Sequence, residues 1–260
     1  MEKYNKLEKQ PLRVVLAEFR FSQVLQINKF IPKLQETLRK TYPIPEKRKE
    51  QAVQVQLGGI QVQSMDRWAF VSANKKSAVD ISQDRLVFFT AEYQRFDGFS
   101  DKCKQAIEAL EAIVEPSLIH RIGLRYCDMD EIENGQKISD IVDSNFSFPG
   151  SINGLGVPQF ARNEISLSTD SGLLSIRTLY GNNNLVCMPD MQNLPIIIES
   201  TDITSERIIL DFDHIWEPKE VSVKFEASKV LEELDKLHEI SREAFWKITT
   251  DFARNDKWSQ

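Results

Sequence analysis

Short segments whose apolar residues recur at every second position constrain this 260-residue chain more than any other feature. A period of two is the signature of a strand with one face buried, because successive side chains leave opposite sides of the backbone. Residues 12–21, LRVVLAEFRF, set the pattern: Val15, Ala17, Phe19 and Phe21 fall on one face, and Val14, Leu16, Glu18 and Arg20 on the other. Similar strand-like runs occur at 52–56, 60–63, 67–73, 78–82, 86–93, 118–128, 164–169, 173–180, 194–200 and 207–214. Gln83-Asp84 and Asp170-Ser171-Gly172 supply turn chemistry between neighbouring runs. Strands joined by such short turns pair antiparallel.

Apolar residues at helical spacing mark few segments. Asn28 reads as the cap of a helix reaching about residue 41, with Ile27 as a staple and Pro43 and Pro45 as its stop. A second helix spans 97–114, with Phe99, Cys103, Ile107, Leu110 and Val114 on one stripe, and Pro116 closes it. Residues 138–146 suit a short helix. The longest runs from 227 to 252, with Val230, Leu234, Leu237, Ser241, Ala244 and Phe245 aligned. The charged run at 46–50, EKRKE, reads as a solvated loop. Residues 147–159 hold three glycines and two prolines and read as a linker. The expected fold class is therefore α+β, mainly antiparallel sheet in two lobes, each sheet covered on one face by helices. Residues 1–146 form the N-terminal α+β lobe, 147–160 the linker, and 161–260 a hairpin sheet plus the long helix.

Charge divides unevenly between these halves. Residues 1–150 carry 22 basic and 21 acidic side chains, residues 151–260 carry 11 and 18, and the whole chain has a formal charge of −6. The acidic half repels nucleic-acid phosphates, so nucleic acid is a partner not favoured by charge. No apolar run approaches the roughly 20 residues of a membrane span, and the first ten residues, MEKYNKLEKQ, lack a secretory pattern. Cys103, Cys127 and Cys187 are odd in number and form no CxxC pair, which suits a reducing cytoplasm. The expected location is cytoplasmic, with no membrane partner.

Five stretches together, PLRVVLAEFRF, RLVFFTAEYQRFDGF, IHRIGLRYCD, ILDFD and LDKLHEISREAFWKIT, resemble a sporadically distributed family of uncharacterised bacterial proteins of about this length. The resemblance follows the same order along most of the chain. It implies a bacterial or archaeal, intracellular origin and no particular activity. A patchy distribution is what mobile or defence-linked genes show.

No nucleophile elbow, phosphate loop, dinucleotide fingerprint or histidine pair is present, so no cofactor is expected. Absence of a catalytic motif makes a non-enzymatic adaptor, binding a protein partner within a bacterial accessory system, the first expectation. Two polar clusters carry the alternatives. Glu18 and Arg20 share a strand face, and so do Arg121 and Arg125. If those strands are neighbours they form either a surface ion-pair lattice, worth under about 1 kcal/mol per pair, or a face that binds phosphate or carboxylate. Asp211 and Asp213 also share a face, the minimum for a Mg²⁺ or Mn²⁺ site in a metal-dependent hydrolase. His238, beside the apolar stripe of the long helix, reads as a partly buried residue with one hydrogen bond. Trp68, Phe70 and Tyr93 read as core in preference to a base-stacking platform.

Overall fold

In the computed structural model, residues 4 and 6–259 are described except 57–58, 149, 153, 157–158, 201 and 221, with backbone alone at 50–56, 59–63 and 150. Among the described residues nine strands follow one another: β1 (Leu12–Phe21), β2 (Ile44–Gln56), β3 (Gly59–Val71), β4 (Ser77–Ile81), β5 (Arg85–Thr90), β6 (Ile119–Glu131), β7 (Phe160–Thr169), β8 (Gly172–Asn183) and β9 (Ser205–Trp216). The helices are α1 (Ile31–Leu38), α2 (Phe96–Val114), the single turn α3 (Ile138–Ile141) and α4 (Ala227–Ile248). All nine strands join one sheet in the order β2-β3-β4-β5-β1-β6-β9-β8-β7, and every pairing is antiparallel. The α+β class with antiparallel sheet is what the strand alternation requires. The strands of residues 1–146 and of 161–260 meet through β6 and β9, with Arg125 opposite Asp213 and Cys127 opposite Asp211.

Alternation decides what each face buries. Val15, Ala17, Phe19 and Phe21 of β1 share a core with Leu34 of α1, Leu110 of α2, and Leu234 and Leu237 of α4. Leu174, Ile176, Leu210 and Phe212 extend that face toward Ala244 and Ile248 at the end of α4. The opposite face buries Val14, Val87, Phe89, Cys127 and Ile209 beneath Cys187, Met188, Met191 and Ile196. Leu237 is fully buried and Glu232 is exposed. Truncating a buried leucine costs its transfer energy plus a cavity. Leu237→Ala is thus expected to cost at least ~2 kcal/mol in chemical denaturation, and Glu232→Ala to stay near zero.

Three local expectations are corrected. Residues 46–50 are not a loop but the start of β2, held in register against β3 from Ile44–Val71 onward. Dense charge suits an edge strand, which has one side in water. Residues 194–200 form no strand. Pro195 removes one donor, and the segment instead lies across the sheet with Ile196 in its core, over strands that already have neighbours on both sides. The first helix starts later than Asn28: a 3-10 turn occupies Ile27–Lys29, and α1 begins beside Pro32, whose missing N–H costs nothing in a first helical turn.

The hairpin turn sits where the sequence places it, at Asp170-Ser171 between β7 and β8. Gly172 has φ +138°, and a side chain there would collide with the Ile215 backbone. Cys103, Cys127 and Cys187 are free and buried. No helix among the described residues is long and apolar enough to cross a membrane. Between β6 and β7 the described residues form only short turns, and Leu155 is 83% exposed. Limited proteolysis is expected to cut within 147–160 before any site in β5 or β9, because exposed irregular backbone is what proteases engage. First cuts inside 86–93 or 207–214 would contradict this.

Candidate functional site

The sheet face opposite the helices carries an unusual density of charge. β1 lies between β5 and β6, so Glu18 is flanked by Val87 and Gly123, and Arg20 by Arg85 and Arg121. Gly123 brings no side chain to the space beside Glu18. Arg20 Nε donates to Glu18 Oε1 at 2.9 Å, Arg85 Nη1 donates to Oε2 at 3.3 Å, and Arg121 Nε stands 3.8 Å from Oε1. Burial pushes the Glu18 carboxyl upward, but the Arg20 bond and the charges of Arg20, Arg85 and Arg121 outweigh it and hold the group below its ordinary value. Glu18 is therefore an anion shared among three cations.

Arg125 is placed differently. Its guanidinium donates to Asp211 at 2.7 and 3.0 Å and to Asp190 at 2.7 and 3.0 Å. It is only 9% exposed and Asp211 is fully buried. Burial lowers the Arg125 pKa, but the bonds from both carboxylates more than reverse that and raise it. Arg125 holds Asp190 below its ordinary range, chiefly through the hydrogen bond.

Arg177 of β8 pairs with both members of the acidic couplet, 2.9 Å from Asp211 and 2.7 Å from Asp213. Register explains this, since Arg177 is opposite Asp211. A metal at Asp211 and Asp213 would have to displace Arg177 from both carboxylates and Arg125 from one. Among the described residues no group of three or more His, Cys, Asp and Glu is placed to hold a metal.

Glu18, Arg121 and Arg125 line a recess of about 480 Å³, with Arg20 bonded to Glu18 beside it. Its lining holds six basic residues, Arg48, Lys49, Arg67, Arg85, Arg121 and Arg125, against Glu18, Asp190 and Asp213. Arg67 donates to Asp80 at 3.0 Å, and Arg48 Nη2 donates to the neutral Asn193 carbonyl at 2.7 Å. Arg121 Nε is buried and donates no hydrogen bond. No family model, curated protein or solved structure matches this chain.

Most of these ion pairs are buried. Glu18 has 14% of its side chain exposed and Asp211 none, and Arg85, Arg125 and Arg177 have 11–16%, whereas Arg121 (28%) and Arg20 (42%) reach further into solvent. Burial arises because residues 185–198 cross this side of the sheet, and 194–200 read from sequence as one more strand. Sequence reasoning also leaves Arg48, Arg67, Arg85, Arg177 and Asp190 unassigned. Each basic one occupies an alternating strand position, and only the strand order brings them together. His238 and Phe70 lie elsewhere. His238 is buried with Nδ1 2.8 Å from the Tyr126 hydroxyl, and Phe70 belongs to the core beneath the helices.

Proposed function

We propose that this protein is a non-enzymatic binding protein whose ligand presents a phosphate or carboxylate to the arginine-lined recess. The observation that carries this reading is a 480 Å³ concavity with six basic and three acidic lining residues, one of whose guanidinium groups keeps a buried donor unused. Guanidinium groups offer paired N–H donors that match the planar or tetrahedral oxygens of such anions. In a partly desolvated recess each such bond is worth more than in water. The recess takes Glu18, Arg85 and Arg121 from residues 1–146 and Asp190 and Asp213 from residues 161–260. We keep the two-lobe division within this proposal, since ligand sites favour the places where lobes meet.

Titration with pyrophosphate and citrate at constant ionic strength tests the reading. At least one anion is expected to raise the melting temperature, in a saturable way that chloride does not reproduce. Arg121→Ala should weaken that binding by about 1.5–3 kcal/mol, and Arg121→Lys should restore only part of it. No saturable response to either anion would overturn the proposal. A short oligonucleotide serves as the further arm, because the acidic C-terminal half predicts weaker binding of a long phosphate chain.

A protein partner is the second reading, and the β7 edge favours it. Ile165 and Leu167 on β7 and Phe160 at its start are 39, 45 and 61% exposed on the last strand of the sheet, where backbone groups are available for strand addition. We attach to it the proposal, carried by the family resemblance, that the chain serves a bacterial accessory system. Capture that fails when Leu167→Lys is introduced, with anion binding intact, would move the adaptor reading ahead.

A further inference from the structure

A second cavity opens on the helix side of the sheet and shares no lining residue with the arginine recess. It measures about 370 Å³ and lies between the segment before β1, the start of α2, and α4. Seven of its 20 lining residues are aromatic. The rings of Tyr93 and Tyr126 meet edge to face at 5.9 Å, and Phe96 stacks on His238 at 3.7 Å. At its base Asp128 is 4% exposed. It accepts no hydrogen bond from any described residue and is reached by Arg13 only as a charge at a distance. The nearby hydroxyls are used otherwise: Tyr126 bonds His238 Nδ1 at 2.8 Å and also Tyr93.

A buried carboxyl without a donor is costly, and a cavity beside it is a place from which a donor can come. We propose that this pocket binds an organic ammonium ion, with the Asp128 carboxylate as counter-ion and the rings of Tyr93 and Tyr126 as walls. Aromatic faces attract cations, and an enclosing set of them is the usual way to hold an alkylated ammonium. This pocket already shows the interaction, for Arg242 lies over the Tyr4 ring at 4.7 Å.

The cations that line the cavity do not fill the role. Arg242 is ion-paired to Glu239, Lys6 pairs with Glu8 at 3.6 Å, and Arg95 is exposed. His238 adds no positive charge near neutrality, because burial and then Arg242 push its pKa down to about 3. The volume suits a small amine.

Calorimetric titration of the full chain with tetramethylammonium, choline and phenethylamine, with neopentyl alcohol as the uncharged control, tests the proposal. At least one ammonium is expected to bind saturably while the alcohol does not. Asp128→Asn should weaken it at least about tenfold, the scale of a lost charge-assisted bond. That variant puts a neutral amide of nearly the same shape in place of a buried carboxyl, so it is expected to fold. Arg121→Ala, in the other recess, should leave ammonium binding unchanged. Absence of saturable binding by all three ions, or equal affinity in Asp128→Asn, would overturn the assignment.

Discussion

Replacing Arg125 by alanine is expected to destabilise the protein by about 3–5 kcal/mol. The cost comes from what is left behind. Asp211 is fully buried and takes two hydrogen bonds from Arg125, and without them it keeps only Arg177. Two charges removed from water repay their desolvation only through each other, so deleting one strands the other. Urea unfolding with an unchanged m-value and a lowered midpoint would register the effect as stability alone. The double variant Arg125→Met with Asp211→Leu should recover most of the loss, because it removes both charges and fills the space with apolar atoms. A loss under about 1 kcal/mol from Arg125→Ala would mean that these pairs behave as exposed ones. Arg121 makes the contrast. Its carboxylate neighbour Glu18 is 3.8 Å away, so alanine there should spare stability and act on anion binding.

How much of this was legible in the sequence follows from which physical signals are local. The strand class of β1 and β6 is written in their own alternation, and so is the sharing of a face by Glu18 with Arg20 and by Arg121 with Arg125. Adjacency of β1 and β6 is not local, yet placing first and last strands side by side in the N-terminal half puts the four residues together. Arg85 and Arg67 escape notice because their strands carry the same alternation as any half-buried strand, and only the order β3-β4-β5-β1 turns their charges toward Glu18 and Asp80. Residues 194–200 mislead for the opposite reason. Three isoleucines suit a β-strand in composition, but Pro195 interrupts the donors and the segment packs over strands already paired on both sides, so it serves as a cover. That cover converts an exposed ladder into a buried recess, and no local pattern announces it. Asp128 is hidden still more simply. In IHRIGLRYCD it sits at an alternating position where an apolar residue would be expected, which is the one trace of the second cavity.

The pH dependence of stability should single out Asp128. Burial, with the Asp211 charge adding to it and Arg13 only partly opposing it, lifts the Asp128 carboxyl from 3.8 to about 8. Between those values the folded chain holds a proton there that the unfolded chain has released. Unfolding then releases one proton, and stability falls by about 1.4 kcal/mol for each unit of rising pH. This contribution is whole below pH 3.8 and is lost by about pH 8. His238, another residue of the same cavity, works against it. Its folded pKa lies near 3, below the ordinary 6.5, so its protonation in the unfolded chain makes stability rise with pH across that interval. The two slopes oppose each other between pH 4 and 6.5, and of the two that of Asp128 alone continues from 6.5 to 8. Asp128→Asn uncovers the histidine: the variant should gain stability with pH up to about 6.5 and then level off. Its advantage over the parent should widen by about 1.4 kcal/mol per unit between pH 5 and 7. A constant difference across that range, measured by urea unfolding at each pH, would show that Asp128 is already ionised in the folded chain. A saturating ammonium ion should flatten the parent's slope above pH 6.5, because it holds the carboxylate in its charged form.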